Sequence, residues 1–102
     1  MGKDRQIRHV IVWDEVDIIH LSGSHDDEYA LMLRIKRDGE WKTCVSVDNS
    51  HEREGVDVHH MHRYPHGEKG EPEPLPFPVS DSNDARAKVI DWMTDNWGIL
   101  CS

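Results

Sequence analysis

The feature that most constrains the fold is a pair of extended segments, residues 29–36 and 40–47, that flank Asp38-Gly39. Segments rich in alternating apolar residues and joined by a glycine-containing turn are typical of a β-hairpin. A two-residue Asp-Gly loop would put the apolar residues of the first segment beside Ser46, Cys44 and Lys42. A three-residue loop over residues 37–39 avoids that mixture, because it aligns Leu31, Leu33 and Ile35 with Val45, Thr43 and Trp41.

We therefore predict the three-residue loop, with Gly39 at a bulge. This register creates an apolar face of odd-numbered residues and a polar face that carries Arg34, Lys36 and Lys42. Residues 7–13, 16–21 and 56–64 predict three further strands, since each is rich in β-branched or aromatic residues. On the last of these strands, His60 and His62 share the even-numbered face and would join Arg34 and Lys42 there.

The C-terminal part of the chain predicts a helix over residues 82–97. Asp81 or Ser82 can cap its start, and Gly98 is expected to end it. Apolar and large residues recur at helical spacing: Ala85, Val89, Ile90, Trp92, Met93, Asn96 and Trp97. Residues 65–80, which contain all five prolines, predict a proline-rich loop. The expected fold is α+β: one domain, residues 1–102, with an antiparallel sheet of about five strands packed on one C-terminal helix.

Charge and cysteine content narrow the class of protein. The 102 residues carry a formal net charge of −8, which opposes nucleic acid at long range, so RNA binding would need a local basic patch. The start of the chain resembles no signal peptide, and no apolar run is long enough to span a bilayer. We therefore expect a cytoplasmic protein, with Cys44 and Cys101 as reduced thiols.

Histidines cluster in the middle of the sequence. Four of the eight lie between positions 51 and 62, namely His51, His59, His60 and His62, and His66 follows. Imidazole titrates near neutral pH and also binds metal ions, so these histidines serve equally well as acid–base groups, metal ligands or solvated surface. Three hypotheses stay open from the residues alone.

The first hypothesis is metal-independent cleavage of RNA. One neutral imidazole would accept the ribose 2′-hydroxyl proton, a protonated one would donate to the leaving oxygen, and a fixed cation would stabilise the phosphorane. The candidate catalytic residues are His51, His60 and His62. The candidate substrate-binding cations are Arg34, Lys42, Arg53 and Arg63.

The second hypothesis is a zinc site. His51, His60 and His62 would provide three nitrogen ligands and leave one position open, and Asp48 would orient one imidazole. The third hypothesis is a small acidic interaction or inhibitor protein, whose histidines are solvated and which binds a basic partner. No cofactor is needed in the first or third hypothesis.

Two short motifs resemble the TumE family of bacterial toxin–antitoxin systems. They are Val47-Asp48-Asn49-Ser50-His51 and His59-His60-Met61-His62-Arg63, and a C-terminal amphipathic helix follows them. The chain departs from the family pattern at Val47, where the family has an aromatic residue, and lacks the proline before each histidine motif. The resemblance implies a toxin-like or related small protein with a cognate antitoxin or other protein partner, and it leaves the chemistry open. Asp48 and Asn49 are the candidate orienting residues, and RNA is the candidate substrate of the first hypothesis.

Overall fold

The computed structural model describes residues 6–22, 28–49 and 59–102, apart from the side chains of Gln6 and His66. The described residues form one antiparallel six-stranded sheet, in the order β1-β2-β3-β4-β5-β6, and one long helix. The strands are β1 Gln6–Trp13, β2 Val16–Ser22, β3 Tyr29–Arg37, β4 Glu40–Asp48, β5 His60–Arg63 and β6 Pro72–Pro74. The helix α1 spans Ser82–Leu100, and a short 3₁₀ turn spans Pro65–Gly67. The predicted α+β class is confirmed.

The turn between β3 and β4 differs from the predicted one. Arg37 pairs with Glu40, and both Asp38 (φ 54°) and Gly39 (φ 79°) have positive φ, so the loop has two residues in a type I′ geometry. The predicted three-residue loop is therefore wrong. The apolar odd-numbered face is recovered further along the strands, where Leu33 pairs with Val45.

A bulge reconciles the tight turn with the apolar pattern. Leu33 pairs with Val45 and the next residue, Arg34, pairs with Thr43, so Cys44 is the extra residue on β4. The bulge switches the side of the sheet to which β4 residues point. Lys42 lies opposite Ile35 and so does not share the face of Arg34, contrary to the prediction.

The core lies between one face of the sheet and α1. Its buried sheet residues are Val16, Ile18, Tyr29, Leu31, Leu33, Val45, Val47 and Met61, and the helix contributes Ala85, Val89 and Met93. Asp81 caps the helix, since its side chain accepts a hydrogen bond from the Asp84 backbone N–H at 2.8 Å. No helix in the described part of the chain is long and apolar enough to cross a membrane.

The helix continues through Gly98, where the sequence predicted its end. Glycine inside a helix costs about 1 kcal/mol relative to alanine, which tertiary contacts can offset. Here the last turn is anchored, because Arg37 donates a hydrogen bond from Nη2 to the Cys101 carbonyl at 2.6 Å and Cys101 is buried.

Cys44 and Cys101 form a disulfide, with their Cα atoms 5.1 Å apart. The predicted reduced thiols are therefore wrong for this structure. The sequence places the two cysteines 57 residues apart, which gives no local sign of pairing. The bulge at Cys44 places its side chain on the helix side of β4, and the capping position after α1 brings Cys101 to it.

The proline-rich segment contains a strand that the sequence did not predict. β6 pairs with β5 at the edge of the sheet, and two of its three residues are prolines. An edge strand tolerates proline, because the N–H that proline lacks would have no further strand to pair with. Three predictions fall on residues outside those described: the histidine His51, the cation Arg53, and the start of the strand expected at 56–64.

Candidate metal centre

Three polar side chains meet where β4 and β5 pair. Asp48, the last residue of β4, lies directly opposite His60, and His62 follows two positions later on the same face of β5. The predicted shared face of His60 and His62 is therefore present in the structure. Each of the three residues offers a ligand atom within 4.8 Å of the others, and each is at most 6% exposed.

The ring of His62 is held in one orientation by the segment after β5. Its Nδ1 donates a hydrogen bond to the Gly70 carbonyl at 2.8 Å, so that in the neutral ring the lone pair lies on Nε2. That Nε2 is buried and has no hydrogen-bond partner. A buried acceptor without a donor costs about 1–3 kcal/mol, so a native structure rarely leaves one without a purpose.

Gly70 reaches His62 because it has no side chain. Its N–H donates to the Arg63 carbonyl at 2.7 Å, so the backbone turns back against the end of β5. A Cβ atom at position 70 would lie 2.9 Å from that carbonyl oxygen, closer than real Cβ contacts. Glycine therefore allows the carbonyl of residue 70 to approach the ring of His62.

His60 completes the group from the other side. Its Nε2 lies 3.1 Å from Asp48 Oδ1, and its ring meets the His62 ring edge-on with the two centroids 5.0 Å apart. The distance between Nε2 and Oδ1 is within hydrogen-bond range. A divalent cation could bind between the two groups, since imidazole nitrogen and carboxylate oxygen are both metal ligands.

A second polar pair lies at the start of β3, where Tyr29 packs in the core. The Tyr29 hydroxyl lies 2.8 Å from His59 Nδ1, and the two rings stack. Burial, with the Asp48 carboxylate as a second cause, raises the pKa of Tyr29 well above its usual value, although Arg86 opposes the shift. Tyr29 therefore stays a neutral phenol at any physiological pH.

Two of the predicted site residues have structural contacts. Asn49, predicted to orient the site, accepts a hydrogen bond from the Tyr29 backbone N–H at 3.1 Å and donates to Ser82 Oγ at 3.2 Å. Asn49 thus ties the start of β3 to the start of α1. Arg34, predicted as a cation, binds the buried carboxylate of Asp17 with two hydrogen bonds of 3.0 and 2.8 Å.

The other predicted cations also point elsewhere. Arg63 is exposed and lies 3.3 Å from Glu73 Oε2, and it alternates with His62 onto the opposite side of β5. Lys42 is on the helix side of β4, as the bulge dictates. Arg53 and His51 lie outside the described residues. The structure thus brings His60 and His62 together with Asp48, and does not bring Arg34, Lys42 or Arg63 to them.

From the sequence, Asp48 was predicted to orient an imidazole, and Gly70 was not predicted to take part in the site. The signal for Asp48 was available, because a strand pairing that aligns residue 48 with residue 60 puts the carboxylate directly across from an imidazole. Gly70 carried no such signal. Its role depends on how a proline-rich segment folds back on β5, which local sequence does not determine.

Comparisons with known proteins identify no relative. No protein-family model matches the chain, and no curated protein and no solved structure matches it either. The resemblance to the TumE family therefore stays a prediction from two short motifs. A function is therefore inferred from the geometry of Asp48, His60 and His62.

Proposed function

We propose that this protein is a metal-binding domain in which Asp48, His60 and His62 hold a divalent transition-metal ion. The observation that carries the proposal is the unpaired Nε2 of His62, whose lone pair is buried beside an imidazole and a carboxylate. The Nδ1–H of the same ring donates to the Gly70 carbonyl, an arrangement that metal-binding histidines commonly use to fix their tautomer.

The distances between the three groups fit such a site after a small contraction. Tetrahedral zinc with ligands at about 2.0–2.1 Å places its ligand atoms roughly 3.3 Å from one another. The three ligand atoms here lie within 4.8 Å of one another. Side-chain rotation can supply the remaining approach of at most about 1.5 Å.

The chemistry of the ligands favours zinc among the common cellular ions. Two imidazoles and one carboxylate suit zinc, iron, nickel or copper, whereas magnesium and calcium prefer sites made of oxygen ligands. Zinc needs no redox partner and accepts a fourth ligand of several kinds. The near-complete burial of His60 and His62 favours an ion with a structural role over one that meets a large substrate.

Titration calorimetry of chelator-treated protein with Zn²⁺ tests the proposal. We expect one ion per chain, and we expect His62→Gln and His60→Gln to abolish the binding. The matched control is His20→Gln, because His20 also has a buried Nε2 without a partner but belongs to no possible metal-binding group among the described residues. Burial, Arg86 and Arg8 lower the pKa of His20, and these two positive charges would repel an ion. Equal loss of zinc in the His20 variant, or no uptake by the wild type, would reject the site.

RNA cleavage by His60 and His62 stays a prediction, as do an RNA substrate, an antitoxin partner and a basic partner. A histidine that removes a ribose proton has to touch the substrate, and these two rings are 2% and 6% exposed, which supports the metal proposal instead. Incubation of metal-free protein with labelled RNA decides the matter. Cleavage that His60→Gln abolishes would support the ribonuclease and count against a purely structural ion.

A cytoplasmic location also stays a prediction. Disulfides are rare in the cytosol, where thiols are kept reduced, so the Cys44–Cys101 bond counts against that location. Alkylation of free thiols in freshly lysed cells, followed by mass measurement, distinguishes the two states. Two alkylated cysteines would support the cytoplasm, and none would support an oxidising compartment.

A further inference from the structure

The sheet has an edge that the metal proposal does not use. β1 is the first strand of the sheet and, among the described residues, pairs with β2 alone. Two of its side chains, Ile7 and Ile11, are 61% and 76% exposed, and Trp13 at its end is 64% exposed. These three residues account for most of the strongly exposed large apolar side chains in the described part of the chain, which otherwise are Trp41 and Ile99.

Among the described residues, β1 lacks most of the usual protections of an edge strand, although it bulges at Val12 near its end. Natural sheets blunt their edges with short strands, prolines, lysines or a covering element. β6 at the opposite edge is such a case, since it has three residues and two of them are prolines. β1 has eight residues, no proline and no lysine, so its outer backbone groups form a template for another strand.

We propose that two copies of this chain associate through β1, by antiparallel pairing of β1 with β1 of the second copy. The alternation of β1 places Ile7, His9 and Ile11 on one face, because they pair with Leu21, Ile19 and Asp17 of β2. A two-fold axis at His9 sets Ile7 of each copy opposite Ile11 of the other, so the exposed isoleucines cover one another.

The local charge of β1 suits a second copy better than a basic protein or a nucleic acid. The chain has a net charge of −8, yet β1 contains no acidic residue and only one that is permanently charged, Arg8. With the axis at His9, Arg8 faces Val10 and not its own copy, so the pairing sets no two permanent charges directly opposite, and the two His9 side chains meet at the axis. A basic partner would select an acidic surface, and nucleic acid would require several cations rather than one.

The interface of one strand pair is small, so the dimer should be weak. Interfaces below the standard size belong to transient complexes, and we expect a dissociation constant on the order of micromolar. Sedimentation velocity over a concentration series on both sides of that value tests this. A chelator is present throughout, so that metal-bridged association does not contribute.

Ile11→Lys and Ile99→Lys form a matched pair of variants. Both isoleucines are 76% exposed, but Ile11 lies on β1 and Ile99 on the last turn of α1. We expect Ile11→Lys to weaken the dimer at least about tenfold, through lost apolar contact and the added charge. We expect Ile99→Lys to dimerise like the wild type. Circular dichroism of both variants verifies that they are folded, and Ile7→Lys replaces Ile11→Lys if the latter is not.

Three results would overturn the proposal. The first is a wild type that is monomeric throughout the series. The second is a dimer that a folded Ile11→Lys or Ile7→Lys variant leaves unchanged. The third is an Ile99→Lys variant that weakens the dimer as much as the β1 variants do, because that would place the interface on α1.

Discussion

The two edges of the sheet differ in which side chains they bury and which they expose. At the β5–β6 edge, the polar side chains of His60 and His62 are nearly inaccessible to solvent. The sheet ends there in a three-residue strand whose first and last residues are Pro72 and Pro74. At the β1 edge, apolar side chains are exposed and nothing in the described chain stops the sheet. One edge thus buries polar groups, of which His62 Nε2 has no hydrogen-bond partner, and the other exposes apolar side chains.

The same contrast separates two buried aspartates on the same face of the sheet. Asp17, beside β1, has the guanidinium of Arg34 at 2.8 Å and His9 at 3.4 Å. Asp48, at the other end of the sheet, has His60 at 3.1 Å and His62 close by. A guanidinium is a permanent cation that already balances the carboxylate of Asp17, whereas imidazoles leave room for a metal ion beside Asp48.

The largest expected effect comes from a change that touches neither edge. Replacement of both cysteines, Cys44→Ser with Cys101→Ser, removes a bond that spans 57 residues of sequence. Loss of a crosslink over a loop of that length lowers the free energy of unfolding by about 4 kcal/mol in the chain-entropy model. Urea denaturation of the variant against the oxidised wild type measures it.

The two proposed edge activities should survive that loss of stability. Below the new denaturation midpoint we expect the double variant to bind zinc with unchanged stoichiometry and to dimerise as the wild type does. Loss of zinc binding in a folded variant would show that the disulfide, and not the local geometry of β4 and β5, holds the metal ligands in place.

Zinc should give the next largest effect, at one edge only. An ion that binds the folded chain at 100 times its dissociation constant adds about 2.7 kcal/mol, which for a domain of this size raises the melting temperature by about 10–20 °C. We expect the rise in the wild type and in Ile11→Lys, and none in His62→Gln. Differential scanning fluorimetry with and without zinc measures it, and a smaller rise in Ile11→Lys would show that the two edges are coupled.

The sequence predicts the elements of this fold better than their register. The alternation of β3 and the helical spacing of α1 are strong signals because one face of each element is buried. Without a bulge, the favourable Asp-Gly turn would misalign the apolar residues of β3 and β4. The extra residue, Cys44, lets the chain have both the turn and the apolar face. The disulfide depends on that bulge, so the local sequence pattern did not predict it either.

The candidate site also has one part that the sequence predicts and one part that it does not. The shared face of His60 and His62 follows from period-two geometry alone, and it was predicted. The burial of these rings and the contact with Gly70 depend on residues 64–74 folding back against β5, which proline content obscures because it suggests a loop. The charge partners of Arg34 and Arg63 were equally unpredictable, since each depends on a strand neighbour.

A smaller effect should follow from Gly70→Ala, which sharpens the role of the β5–β6 edge. The new Cβ would lie 2.9 Å from the Arg63 carbonyl oxygen, so the backbone must shift and the carbonyl of residue 70 moves relative to His62. Loss of a partner that orients a metal ligand weakens binding about tenfold or more. Zinc titration of the variant measures this.

Gly98→Ala is the matched control for that variant. A Cβ at position 98 meets nothing within 4 Å, and the residue is inside α1. We expect unchanged zinc affinity and a gain of up to about 1 kcal/mol in the free energy of unfolding. If both variants bound zinc like the wild type, the hydrogen bond from His62 to Gly70 would have no part in positioning the ligand.

The smallest expected effect concerns Asp17, the balanced aspartate of the β1 side. Burial would raise the pKa of its carboxyl, but hydrogen bonds and charge from Arg34 and His9 outweigh burial and lower it below the usual 3.8. Because the folded pKa is the lower one, the pair stabilises the fold fully above pH 3.8, and that contribution disappears as pH falls through the folded pKa. Asp17→Asn should cost about 1 kcal/mol at neutral pH, in the range of charge-assisted hydrogen bonds that are partly accessible to solvent.

Urea denaturation of the wild type and Asp17→Asn at neutral pH and at several pH values below 4 measures this difference. We expect it to shrink steadily as the acidic range is entered, because protonated Asp17 and asparagine are both neutral. A difference that stayed constant down to the lowest pH would mean that the carboxylate contributes by its shape and packing. The two aspartates would then differ in position and not in charge balance, and the reason for assigning the metal ion to Asp48 would rest on the unpaired nitrogen of His62 alone.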